Sequence, residues 1–286
     1  MTGDDAFLKL GGPPYLISDK LRIATEAGIR AAEQVLGGPL PPSYVSFITR
    51  LGVGACDGYL GVFDPDGVAT DCAGARDTFT HHAHFWEAGS DVLSQEEVHG
   101  LVALGHTIDG DFLAYHPLLP GQFYVLPRHD DHIYAVGPAV EDAWAWMTTS
   151  GVLLSQEQEW EFVAGNWQAI PAFHTFEPHQ DRAAIQYYLK TPPRRLEAVH
   201  EFLIALARSE PGARLIRFLE GTPDGKPSVQ QLFLPGDRAK IHCQAYHDGA
   251  LQVTISYDPT ESHPALDRLA AFLEQGNDAV RYGDWR

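Results

Sequence analysis

Histidine is the residue type in this chain most able to do chemistry. Fourteen are spread over 286 residues, and His81-His82-x-His84, His99 and His106 crowd one stretch, with Cys72 close by. Zinc needs three or four converging ligands, usually a closely spaced pair joined by a second pair. His81 and His84 can share one helical face, but no second pair follows at a recognised spacing. The cluster Arg128-His129-Asp130-Asp131-His132 has the composition of a solvated hairpin turn. Cys56, Cys72 and Cys243 form no close pair, which implies neither a disulfide framework nor a zinc knuckle. Nucleophile and phosphate motifs are missing: there is no Gly-x-Ser-x-Gly elbow, no Walker-type loop and no Gly-x-Gly-x-x-Gly after a strand. Gly52-Val53-Gly54 lacks the third glycine and follows a helical pattern, so it reads as a helix stop. Carboxylates are plentiful, yet no spacing singles out an acid–base pair. Phe85-Trp86 and Trp144-x-Trp146 could stack a sugar or a base, or fill a core. Two apart on a regular helix, Trp144 and Trp146 cannot both face that core. The expectation is a protein with no catalytic residue, no cofactor and no bound metal.

Charge points to the kind of partner. Twenty basic and 38 acidic residues give a net −18, of which residues 1–155 carry −13 and residues 156–286 carry −5. That balance opposes contact with DNA, RNA or an anionic membrane. Net charge of this size also keeps a protein soluble. Its concentration in the first half suits an acidic face that steers a basic partner. No stretch approaches the roughly 18 apolar residues of a membrane helix. Asp4 and Asp5 stand where a secretory signal would carry Lys or Arg, so a cytoplasmic location is expected.

The elements that would position these residues divide the chain in two. Ser18 is expected to cap a first helix that ends at Gly37, with Leu21, Ala24, Gly28, Ala31 and Val35 at helical spacing. Pro41-Pro42 opens a second, and Tyr44, Phe47, Ile48 and Leu51 recur at i, i+3, i+4 and i+7, which predicts a buried face. Residues 58–63 read as a strand, and Asp64 through Asp77 as a long loop rich in Asp, Gly and Ala. Ser94-Gln95-Glu96-Glu97 is a capping-box pattern. Residues 101–105, 112–116, 122–126 and 132–136 have strand composition, separated by Asp109-Gly110, Pro120-Gly121 and the turn at 128–131. A helix over about 140–150 closes this half.

Residues 156–179 show no period, but Trp160, Phe162, Trp167, Phe173 and Phe176 predict a packed connector, not a flexible linker. A second domain over 180–286 opens with a helix at 193–208. Strands at 214–220, 228–234, 239–246 and 250–257 follow, with Asp248-Gly249 as a hairpin turn, and a helix from Pro264 to Gly276 ends it. The expected class is α+β. Residues 1–155 should form an antiparallel sheet with flanking helices, and 180–286 an α-β-β-β-β-α domain whose sheet has one solvated face.

Leu40-Pro41-x-x-Tyr44-x-x-Phe47, preceded by an amphipathic helix, resembles the Leu-Pro-x-x-Tyr-x-x-Phe opening of the SUKH superfamily. The likeness continues through 58–63, the strand start Gly110-Asp111-Phe112 and the closing segment 133–146, and it covers about residues 18–152. The chain departs from the family in having Leu51-Gly52-Val53-Gly54 where members commonly have Asn-Gly after the second helix. The resemblance implies binding roles. Bacterial members often act as immunity proteins that neutralise a toxin, frequently a nuclease, whose basic groove an acidic inhibitor can occupy. The second half resembles no family by its motifs; it could add a toxin contact or mediate dimerisation. On this reading the toxin-contact candidates are Asp64, Asp66, Asp71 and Asp77, opposed within their loop by Arg76. The same composition fits a solvated loop with no partner. Two other functions stay open: a non-catalytic signalling or assembly scaffold, and a metal-dependent enzyme built on His200, His242 and His247.

Overall fold

The computed structural model describes residues 5–89, 91–153, 159–164, 174–178, 183–190, 193–219, 229–234, 236–246, 250–260, 262–275 and 279–285. The chain divides into two compact units, residues 1–155 with 171–180 and residues 156–170 with 181–286. It begins with a 3₁₀ segment (Asp5–Leu10), β1 (Tyr15–Leu16), α1 (Glu26–Leu36) and α2 (Pro42–Arg50). The hairpin β2 (Gly54–Cys56) and β3 (Leu60–Val62) precedes α3 (Pro65–His82), a second 3₁₀ segment (Ala83–Gly89) and α4 (Gln95–His99). A meander follows, β4 (Val102–Thr107), β5 (Phe112–Tyr115), β6 (Phe123–Leu126) and β7 (Tyr134–Gly137), then α5 (Val140–Thr149). β8 (Glu159–Ala164) belongs to the second unit and β9 (Thr175–Pro178) to the first. The remainder is β10 (Ala183–Lys190), α6 (Pro193–Ser209), β11 (Arg214–Leu219), β12 (Val229–Leu234), β13 (Ala239–Ala245), β14 (Ala250–Tyr257), α7 (Pro264–Glu274) and β15 (Ala279–Trp285). The protein is α+β.

The first unit's sheet has the order β1-β9-β2-β3-β4-β5-β6-β7, antiparallel throughout except for the parallel β1–β9 pair. Alternate residues of the meander serve two cores. Val102, Leu104, Leu113, Tyr115, Phe123 and Val125 pack with Ile29 of α1, Tyr44, Phe47 and Ile48 of α2, and Ala143, Trp144 and Met147 of α5. Ala103, Ala114, Tyr124 and Leu126 pack on the other face, under Phe79, Trp86 and Val98. Because both faces are covered, these strands read as continuous apolar runs. The opening motif is core, as its spacing predicts: Tyr44 and Phe47 are fully buried, and Phe47 meets Trp144 and Phe176 edge-on at 6.5 and 5.9 Å.

Two expectations need correction here. The first helix starts at Glu26, not after Ser18, because Thr25 caps it: its hydroxyl accepts from the Gly28 amide at 3.1 Å. Residues 21–24 run ahead of it, with the Ala24 amide bonded to the Ile48 carbonyl. Gly37, with φ of 73°, ends the helix as expected. The segment at 156–179 is divided instead of serving as a connector: β8 pairs with β11 in one unit and β9 with β1 and β2 in the other. Phe176 is fully buried. The side chains of Trp160 and Phe162, and residues Trp167 and Phe173 altogether, lie outside what the structure describes.

In the second unit the predicted α-β-β-β-β-α run is present as α6–β11–β12–β13–β14–α7, but three more strands extend its sheet. The order is β15-β10-β14-β13-β12-β11-β8, antiparallel throughout. Ile185, Tyr187 and Leu189 alternate in β10 as cleanly as the residues of β14, but Ala, Gln and Tyr between them dilute the apolar signal. α6 and α7 cover one face through Val199, Leu203, Leu206, Leu266, Leu269 and Leu273. The opposite face carries Gln231, His242, Gln244, Gln252 and Thr254, each half-buried instead of freely solvated.

Candidate functional site

The acidic segment that the sequence presents as a loop is the helix α3. Asp64 is its N-cap, accepting from the Gly67 amide at 2.5 Å, and Pro65 occupies a first-turn position where no amide donor is needed. Asp66 then stands beside the positive end of the helix. Val68, Ala75 and Phe79 are buried at spacings of seven and four, so one helical stripe faces the protein. Val68 joins the core shared with α2, while Ala75 and Phe79 join the one on the other side of the sheet. An apolar stripe this thin, set among Asp, Gly, Thr and Ala, hides the helical period.

The helix sorts the four aspartates. Asp64 is structural: besides its cap, it pairs with Arg22 at 3.3 Å. Asp66 and Asp77 are exposed and lie on one face, together with exposed Thr70, Gly74 and His81. The two aspartates are three helical turns apart, about 16 Å. Asp77 also engages His81, whose Nδ1 lies 2.8 Å from its carbonyl and 3.2 Å from its carboxylate. Asp71 falls on the helix, but its side chain lies outside the described residues. Arg76 is exposed on the same helix.

The unit's other cations are largely paired within it. Lys9 meets Asp142 at 2.7 Å, Arg22 meets Asp64, and Arg30 meets Glu26 at 2.9 Å. Arg50 pairs with buried Glu141 and lies over the Phe7 ring at 4.4 Å, while Arg128 donates to the Asp109 carbonyl at 3.2 Å. Burial pushes the Glu141 carboxyl above its ordinary range, and Arg50 offsets only part of this. These pairings leave exposed Asp66, Asp77 and Glu96 uncompensated by a neighbouring ion pair with Lys or Arg among the described residues.

The histidines build no metal centre among the described residues. His81, His82, His84, His99 and His106 are all exposed, and among the described residues the only three groups whose ligand atoms converge, within 4.8 Å, are Asp130, Asp131 and His132. These form the turn that their composition predicts. His132 Nδ1 contacts both carboxylates at 2.9 and 2.8 Å, and the Tyr134 hydroxyl donates to Asp130 at 2.6 Å. Hydrogen bonding to Asp130 raises the His132 pKa. In the second unit His200 bonds Gln230 on the helix-covered side at 2.6 Å, whereas His242 lies on the opposite face of the same sheet. They cannot share a metal; His247 lies outside the described residues.

Two carboxylates to which the sequence assigns no role, Asp111 in the strand start at 110–112 and Asp57, organise the first unit. Asp111 is buried and accepts from the Tyr59 hydroxyl (3.0 Å), the Thr107 hydroxyl (2.5 Å) and the Arg128 amide (2.9 Å). Asp57 accepts from Trp144 Nε1, from His174 Nδ1 and from the Thr175 amide at 2.5, 2.6 and 2.5 Å. The signal for the latter was present, since Asp57-Gly58 is a favoured hairpin pair. Trp144 is thus fully buried, while Trp146 is half-buried against Tyr134 at 4.8 Å, the divergence expected of two tryptophans two apart. Among the described residues no helix is long and apolar enough to cross a membrane. No family model matches the chain, and no curated protein and no solved structure matches it either, so what the site can do is read from its own residues.

Proposed function

We propose that this is an immunity protein of the SUKH type, a cytoplasmic, non-catalytic inhibitor that binds a cognate bacterial toxin and occludes its active site. A nuclease toxin is the form that fits best, because its phosphate-binding groove is basic. The observation that carries this reading is the internal pairing of the first unit's cations, which leaves Asp66 and Asp77 exposed on one face of α3. Such a face attracts a basic surface over several ångströms and speeds encounter more than it strengthens the final complex. The resemblance of the 40–47 motif to the SUKH opening supports the same function, since that motif here is core and leaves the surface free to vary.

The test is protection. A toxin domain is expected to be encoded beside this gene; it should stop growth when expressed alone and be harmless when co-expressed with this protein. The purified pair should form a stoichiometric complex in which toxin activity is lost. Continued killing, or full toxin activity in a mixture with excess protein, would refute the proposal.

A further inference from the structure

We infer that β9 is a latched strand, held in the first unit by the Asp57 carboxylate, and that opening the latch uncovers the β2 edge. β9 has four residues, and the chain on both sides of its segment, 156–170 and 181–286, belongs to the second unit. It lies between β1 and β2, so it closes an edge that would otherwise offer unpaired backbone groups. The close approach needs Gly54: a Cβ there would collide with the Glu177 carbonyl and the Phe176 ring.

Asp57 secures one end of this short strand. Its φ of 53° and the 66° of Gly58 are the paired left-handed residues of a tight hairpin turn, a conformation that Asp tolerates. In that turn the Asp57 amide donates to the Thr175 carbonyl at 2.7 Å, while the carboxylate accepts from the Thr175 amide at 2.5 Å. The other carboxylate oxygen accepts from His174 Nδ1 and from Trp144 Nε1 of α5. His174 is buried, and its Nε2 has no hydrogen-bond partner among the described residues. The imidazole also meets the Trp144 ring edge-on at 5.5 Å, so the two rings that donate to Asp57 pack against each other. Three donors, one from α5 and two from the β9 segment, therefore converge on a single side chain. A latch of this kind opens locally, with a free energy below that of global unfolding.

Hydrogen exchange read by mass spectrometry on the full chain tests this. Asp57→Asn keeps the turn and the size of the side chain but presents an amide to donors. It should speed exchange of the amides at 15–17, 54–56 and 174–177 roughly tenfold or more, while β4, β5 and β6 keep the parental rates. His174→Phe retains the Thr175 and Trp144 contacts and should speed the same amides by less. Unchanged exchange at 174–177 in Asp57→Asn would overturn the inference. So would an equal acceleration across β4, β5 and β6, because Asp57 would then contribute only to global stability.

Discussion

The two units bury their polar groups in different ways. The first sinks Asp111, Glu141, Asp142, His116 and His174 into or beside its cores and ties turns, helices and its N-terminal segment to them. The second builds the helix-covered side of its sheet chiefly from Leu, Val, Ile and Ala, with buried Gln230 there bonded to His200. Its buried Asp237 serves as a cap, accepting from the amides of Ala265 and Leu266 at the start of α7. Satisfied buried networks fix geometry but are costly when one member is lost, whereas an aliphatic core tolerates volume-conserving change. The unit with the precise interior is also the unit with the anionic exterior, which fits a scaffold that must hold a charged face in register.

The largest expected effects test that contrast directly. Phe47→Ala should cost about 3–5 kcal/mol in urea denaturation, and Leu269→Ala in the second unit about 2–5 kcal/mol. Asp111→Ala should join this class at about 3 kcal/mol, because it strands three donors in the interior. If Asp111→Ala costs no more than an exposed Asp66→Ala, within about 0.5 kcal/mol of parental stability, the network does not stabilise the first unit.

A pair of hydroxyl deletions sharpens the comparison at smaller scale. The Tyr44 hydroxyl donates to the Phe63 carbonyl at 2.6 Å in the interior, whereas that of Tyr187 reaches the exposed Glu274 at 3.0 Å. Tyr44→Phe should therefore cost about 1–2 kcal/mol and Tyr187→Phe about half as much or less. Equal costs would mean that burial does not distinguish the two.

The α3 aspartates come next. Asp64→Ala removes an N-cap and should cost about 1 kcal/mol, while Asp66→Asn should leave the unfolding midpoint within the spread of ordinary surface changes, about 0.5 kcal/mol. A single substitution of all four aspartates would thus mix a folding defect with any binding defect.

Acid should act on both units in the same direction. Burial lowers the pKa of His116 below 6.5, and burial followed by the charge of Lys240 lowers that of His242. The unfolded chain then takes up these protons at a pH where the folded one does not. Their contribution to stability is whole above pH 6.5 and is lost as pH falls through the lower folded values. His116→Gln and His242→Gln should each flatten the fall of the urea midpoint over this window. A parental slope in both variants would contradict the assignment.

What could be read from the sequence follows from where the signal lies. Tyr44, Phe47, Ile48 and Leu51 show helical spacing in apolar residues, and the last two strands of the hairpin 239–257 alternate, so local pattern and tertiary burial agree there. α3 escaped because Asp64-Pro65-Asp66-Gly67 suits a turn as well as a helix start, and its buried stripe is mostly small. β9 escaped because strand pairing between residues 54–56 and 176–178 is set by contacts distant in sequence. For the site, composition revealed that the surface is acidic, but only the helix shows that Asp66 and Asp77 share a face while Asp64 is spent on a cap and an ion pair.

The most direct test of the proposed anionic binding face is the association rate of the neighbouring-gene toxin with Asp66→Asn/Asp77→Asn, measured by stopped flow at low and high salt. Both residues are exposed, so the fold should be unaffected. The variant should associate more slowly than the parent at low salt, and its rate should fall less steeply as salt is added. Parental association rates at both ionic strengths would show that α3 does not face the toxin.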